Sequence, residues 1–309
     1  MNFKGCENKT IIPVVAYSDN NNLRVNIAYS FLQGFVRLFG RSVDPAQAGW
    51  ISGPVGTSDR IGADFHERYA AANALQIAPQ NPDNGLMKKF SLMNGPHFDD
   101  NRVHRVIHHF YEHTAQYEFD ISVKWNPFTK PFVSLLMKSV SRKVEQLSFP
   151  LDKKETEQGM SSELFPVLDA GGEKLYTCWL RRLPSTGRVI YAGFYTPAEV
   201  PQYAGGIVKT VFPLPQGSVT VILCPQALPD GSFRFVSRGS KFGGPGYYRV
   251  HRLKTGKLKI LMLPLRETLH LKPVDDFTID AEHSFSWWNI PLLTLKFRIS
   301  RINTGSDQK

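Results

Sequence analysis

The densest group of chemically capable side chains is the run RVHRVIHHFYEHT, which carries His104, His108, His109, Glu112 and His113. On a helix His109 and His113, four apart, share one face. The stretch His-Phe-Tyr-Glu-His fits the inverted zinc-peptidase pattern, in which two neutral imidazoles ligate the metal and the carboxylate activates water. His109, His113 and Glu112 are therefore the candidate metal residues, and a metal-dependent hydrolase is the chemistry they would serve. That chemistry needs another glutamate on a following helix. Here residues 117–125 read as a strand, and Glu145, Glu155, Glu157 and Glu163 sit in no matching pattern. The plainer reading is a helix whose Ile107, Phe110 and Tyr111 pack inward.

Two glycine-rich stretches resemble parts of ligand sites. Ile51–Gly62 (ISGPVGTSDRIG) has the composition of a phosphate cradle but neither the GK[ST] ending of a P-loop nor GxGxxG spacing. Gly239–Gly246 lies between two strand patterns beside Tyr247 and Tyr248, where it forms a hairpin loop or a mouth. Cys6, Cys178 and Cys224 are far apart, with no CxxC pair, so neither a disulfide framework nor a thiolate zinc site is expected. There is no GxSxG elbow, and no motif implies a cofactor.

Aromatic residues are frequent in the second half and alternate with basic ones, as in Ser232-Phe233-Arg234-Phe235-Val236-Ser237-Arg238. On an open sheet such rings would stack single-stranded nucleic acid. The commoner arrangement is one buried aromatic face with solvated arginines, so nucleic acid is disfavoured. Should the strands enclose a ligand site, Trp179, Tyr191, Tyr195, Tyr247 and His283 are the residues expected to line it.

These side chains must be positioned by elements whose period changes along the chain. Helix spacing runs over Arg24–Gly40, Ala63–Ile77, about Asn101–His113 with Asp99 or Asp100 as cap, and Phe132–Leu147. The last places Phe132, Leu135, Leu136, Val140, Val144 and Leu147 on one face. Tyr117, Phe119, Ile121, Val123 and Trp125 alternate with polar residues, which is a strand with one face buried.

From Lys174 onward strands and turns dominate: Lys174–Arg182, Arg188–Thr196, Gly206–Pro213, Ser218–Cys224, Ser232–Arg238, Gly246–Leu253, Leu258–Leu263, Arg266–Leu271, Phe277–Trp287 and Leu292–Ile302. Ser185-Thr186-Gly187, Pro229-Asp230-Gly231 and Lys254-Thr255-Gly256-Lys257 are tight-turn sequences, which imply a meander. So many antiparallel strands curl, and a curled sheet gripping helices encloses an apolar hollow. Residues 150–173 read as a linker or long connection, and the tail 303–309 as disordered.

The chain has 309 residues, 42% of them hydrophobic and 21% charged, which excludes a disordered chain and a disulfide-dependent scaffold. No apolar run is long enough to form a membrane-spanning helix. MNFKGCENKTIIPVV lacks a long apolar stretch after its lysines, so no secretory signal is expected. With three ordinary thiols, that places the protein in the cytoplasm. The formal charge of +10 is uneven: residues 1–170 hold 18 basic and 18 acidic residues, residues 171–309 hold 19 and 9. A basic half attracts an anionic membrane, nucleic acid or an acidic partner, unless its charges merely solvate strand faces.

FYEHTAQYEFD, the Phe128–Pro150 segment with SRKVEQLSFP, and WNIPLLTLKFRI together resemble a bacterial family without an assigned function, over about residues 50–300. The resemblance carries no functional residue with it. The rhythm of the second half is also similar to helix-grip and lipocalin-like folds, which hold apolar ligands. The expected architecture is α+β in one domain, helix-rich over 1–150 and strand-rich over 171–302, with a large curved antiparallel sheet packed with helices from the N-terminal half. The expected function is binding of a hydrophobic small molecule or lipid between sheet and helices. The alternatives are the metal-dependent hydrolase and an interaction protein for anionic membrane or nucleic acid.

Overall fold

A computed structural model describes residues 27–56, 60–151, 155, 157–239 and 241–302. Cys6 and the tail 303–309 lie outside the described residues. The helices are α1 (Ile27–Phe39), α2 (Phe65–Ala72), α3 (Arg105–Glu112), α4 (Lys130–Leu136) and α5 (Arg142–Val144). The strands are β1 (Arg41–Val43), β2 (Gln76–Ile77), β3 (Tyr117–Trp125), β4 (Ser161–Leu168), β5 (Lys174–Arg182), β6 (Val189–Val200) and β7 (Tyr203–Leu214). They continue as β8 (Gly217–Ala227), β9 (Phe233–Val236), β10 (Gly246–Arg252), β11 (Leu258–Leu263), β12 (Leu265–Pro273), β13 (Thr278–Trp287) and β14 (Ile290–Arg301).

The protein is mostly one open, curved antiparallel sheet with few helices. Its pairing path runs β2-β4-β5-β6-β7-β8-β9-β12-β13-β14-β3. The meander expected from Lys174 onward holds through β8 and again from β12 to β14. Between them it branches. Residues Gly217–Ile222 of β8 pair with β10, while Cys224–Ala227 pair with β9. One edge of β8 thus passes from one partner to another, and β10 carries β11 and then β1 as a side wing. Turn chemistry supports the hairpins: Gly187, Gly231 and Gly256 have φ of 66°, 76° and 83°, the left-handed region that glycine enters without steric cost.

β4 corrects the linker reading of residues 150–173. Its sequence SSELFPVL does not alternate cleanly and contains Pro166, which argues against a central strand. The strand tolerates proline because it is nearly an edge: beyond it lies only the two-residue β2. The Phe132–Leu147 helix is corrected too. After α4 the backbone widens into a π-helix over Met137–Ser141, then closes in α5 and stops at Glu145, whose φ is 52°. The inserted register rotates the expected apolar stripe. Met137 and Val144 are buried, whereas Phe132 and Leu135 are 72% and 66% exposed.

Both faces of the central strands are covered. Val219, Val221 and Leu223 of β8 face the main core, which also holds Phe65, Ile107, Phe110 and Phe233. On the opposite face Ile222 packs with Ile207, Tyr248, Ile260 and Ile51 in a second core. Ring contacts tie α2 to β6, with Phe65 and Phe194 5.8 Å apart, and α3 to β9, with Tyr111 and Phe235 5.6 Å apart.

Candidate functional site: an aromatic cavity with a polar interior

The concave side of the sheet surrounds a cavity of about 300 Å³. Period-two alternation aims side chains of β3, β5–β10 and β12–β14 into it. Its wall includes Phe119 and Phe297 from the last strands of the path, Val221 from β8 and Leu269 from β12, with Tyr111 of α3 and Met137 of the π-helix. Trp179, Tyr191, Tyr195, Tyr247 and His283, scattered over four strands, all stand in this one wall.

Within this lining a few polar side chains are enclosed. Tyr247 donates its hydroxyl proton to Glu267 Oε2, and His283 Nε2 meets Glu267 Oε1 at 2.5 Å. Glu267 is thereby engaged at both carboxylate oxygens. Trp179 turns its indole N–H outward to Ser162 Oγ at 2.7 Å, leaving its ring to the interior. Burial pushes the phenols of Tyr191, Tyr195 and Tyr247 above their ordinary pKa, so all three stay protonated near neutrality.

Sequence reasoning missed Arg181, two residues from Trp179 and on the same face of β5. It is only 3% exposed. Its guanidinium carbon lies 4.0 Å from the Phe119 ring centroid and 4.3 Å from that of Trp179. The phenols of Tyr191 and Tyr195 lie beside it. Among the described residues its Nε and Nη2 have no partner. Burial draws its pKa below the usual arginine value, and only the two tyrosines oppose that shift. The local signal was present: an Arg two residues beyond Trp179 on the same face of a strand pattern.

The α3 cluster is laid out differently from a zinc site. His109 and His113 come together, with ring centroids 4.6 Å apart. His109 Nδ1 pairs with the Tyr117 hydroxyl at 3.0 Å, and Glu112 accepts the Phe90 N–H at 2.6 Å. Among the described residues no three His, Cys, Asp or Glu side chains gather as a metal ion requires.

The described parts of the two glycine-rich segments pack against the sheet. Lys209 Nζ donates to the carbonyls of Gly49 and Ser52, so the 49–52 turn turns oxygens, not amides, toward that charge. The Tyr248 hydroxyl accepts from Gly243 N–H and donates to the Gly244 carbonyl, which ties the second loop to the outer core. Phe233 and Phe235 are buried and offer no stacking platform. On the outer sheet face a shallow depression of about 540 Å³ carries Asp280 opposite Arg298 and Glu282 opposite Lys296, cross-strand pairs that neutralise one another.

The chain is 26% identical over 292 residues to a protein of Bacillus subtilis (strain 168) described as the uncharacterized membrane protein YndJ. The alignment covers 88% of this chain and 50% of that protein, so the chain spans about half the length of the relative it matches. Among the described residues no helix is long and apolar enough to cross a membrane, which says nothing of strands. No protein-family model matches the chain, and no solved structure matches it. The chain resembles a bacterial protein to which no function is assigned.

Proposed function

We propose that this chain, folded as a single domain, binds a hydrophobic small molecule, a lipid or an isoprenoid, in the cavity between its curled sheet and α3 and α4, in the manner of helix-grip and lipocalin-like folds. The observation that carries this reading is the cavity itself: about 300 Å³, walled by apolar and aromatic side chains with a few enclosed polar groups. That is the composition of small-molecule sites, and the volume lies at their lower end. The free thiols of Cys178 and Cys224 suit a reducing compartment, so the cytoplasm is the proposed location.

Native mass spectrometry of freshly purified protein tests the proposal, together with binding of an apolar fluorescent probe. A one-to-one adduct and saturable probe binding are expected, both abolished by Val221→Trp, which fills the cavity. A folded Val221→Trp protein that binds the probe as well as wild type would remove the cavity from consideration.

A second reading, contact with an anionic bilayer, is favoured by one rim of the cavity. The β3–α4 turn and the β13–β14 turn lie together: Asn126 N–H donates to the Leu292 carbonyl at 3.0 Å. Phe128 is 91% exposed and Trp288 59%, beside exposed Phe132, Leu135 and Ile290. Residues 121–144 carry five Lys or Arg and no acidic residue. Exposed aromatics in a segment rich in Lys and Arg match an anionic membrane interface, and the relative described as a membrane protein fits that setting. Val133 and Met137 of the same segment line the cavity, so the rim would stand where a ligand passes between bilayer and interior.

A further inference from the structure

We infer that Arg181 is the receptor for a carboxylate, and that the ligand of the cavity is a long-chain monocarboxylate amphiphile. The inference rests on the cavity reading above and adds the class of head group.

A guanidinium held out of water is costly unless its donors are met and its charge is balanced. Arg181 meets neither condition from within the protein. Among the described residues no carboxylate forms an ion pair with it, and Nε and Nη2 lack a hydrogen-bond partner. The aromatic rings of Phe119 and Trp179 attract the charge but accept no N–H in the plane of the group. Nε and Nη2 are neighbours on one edge of the guanidinium. Their two N–H bonds run parallel and form the fork that takes both oxygens of a carboxylate. The rings of Phe119 and Trp179, 4.0 and 4.3 Å from the guanidinium carbon, hold the fork in place, with the phenols of Tyr191 and Tyr195 beside it.

Charge count narrows the class. Glu267, an enclosed carboxylate of the same wall, is committed to His283 and Tyr247. Arg181 is the one Lys or Arg in the described lining, so a bound head group meets a single guanidinium charge. A phosphate monoester, at nearly two charges, would leave one unmatched. Among the described residues two further polar atoms in the wall lack partners, Tyr111 Oη and Thr210 Oγ1, and most of the surface is apolar, which suits a hydrocarbon tail.

The test compares three single-chain probes with the intact chain by titration calorimetry: palmitate, hexadecanol, and a lysophosphatidylglycerol as a monoanionic phosphodiester. Wild type is expected to bind palmitate about ten- to a hundredfold tighter than hexadecanol, the ratio given by charged hydrogen bonds. Arg181→Met should bring that ratio close to one while hexadecanol binding persists. Equal affinity of wild type for palmitate and hexadecanol would overturn the carboxylate receptor and leave the cavity reading intact. Binding of none of the three would remove both. Tighter binding of the phosphodiester than of palmitate would overturn the carboxylate and assign the fork to phosphate. The wild-type ratios need no variant, so a failure of Arg181→Met to fold leaves the test decisive.

Discussion

Arg181 of β5 and Phe119 of β3 touch across the cavity, the guanidinium carbon 4.0 Å from the ring centroid. Along the pairing path seven strands separate β5 from β3. The contact therefore records how far the sheet has curled: its last strand comes back over its early ones without a hydrogen-bonded ladder between them. Trp179 confirms the approach, with its ring 5.7 Å from that of Phe119. Side-chain packing through the interior, not backbone pairing, joins the two ends.

Replacing Arg181 should cost the fold nothing. A buried, unpaired cation is retained against its desolvation penalty, and an apolar side chain of similar length removes that penalty. Arg181→Met is expected to melt at the same temperature as wild type or a few degrees higher. Differential scanning calorimetry of ligand-free protein checks this. A drop of many degrees would mean that the guanidinium's contacts with Phe119, Trp179 and Tyr191 hold the two ends of the sheet together.

Gln146 should be far less dispensable. It is fully buried where β6 and β7 diverge, and its amide stands in for a missing strand partner. Its Oε1 accepts from Ala192 N–H at 2.9 Å, while Nε2 donates to the carbonyls of Ala192 and Pro213 at 3.0 and 3.2 Å. Gln146→Ala leaves a backbone donor and two acceptors buried and unmet. The expected loss is about 2–3 kcal/mol, read from the midpoint of urea unfolding. A loss within experimental error would show that water replaces the amide.

Lys209 supplies a pH signature. Burial lowers its pKa from the ordinary 10.5 to about 8. Below pH 8 folded and unfolded chains both hold the proton, so the slope is zero. Between pH 8 and 10.5 the unfolded chain holds more protons, and stability rises with pH in that window. Lys209→Met lacks the group, while tyrosines and cysteines titrate alike in both proteins. Wild type should therefore gain on the variant across pH 8 to 10.5, by about 3 kcal/mol at most. Denaturant midpoints measured in pairs at each pH test the sign; a constant difference rejects it.

The rim makes a prediction opposite in kind to that for Gln146. Phe128 and Trp288 are exposed, so Phe128→Ser with Trp288→Ser should leave the unfolding midpoint within about 0.5 kcal/mol of wild type. The same pair should greatly weaken sedimentation with vesicles of phosphatidylglycerol and phosphatidylcholine. Undiminished sedimentation would place membrane contact elsewhere or nowhere.

Much of this architecture is local in origin. Alternation in YEFDISVKW is a property of neighbours two apart, and β3 spans the range that alternation implies, as β5 spans the strand read over Lys174–Arg182. Gly40 ends α1 as its sequence proposes, because there a Cβ would stand 2.5 Å from the Val36 carbonyl. β4 was not legible, since Pro166 is tolerated only by virtue of its place beside a two-residue edge. The helix over Phe132–Leu147 was legible in existence but not in phase, since one π-turn moves Phe132 and Leu135 outward.

The sequence by itself determined where most strands and turns from Lys174 onward form and which aromatic side chains share a strand face, because those follow from backbone period and turn chemistry. Only the tertiary structure decided that β8 pairs with two strands along one edge, that the sheet curls until Phe119 meets Arg181, and that Glu267, His283 and Tyr247 meet in one wall. Those outcomes depend on long-range packing of a twisted sheet, and no short window of sequence records which buried charge will be left without a partner.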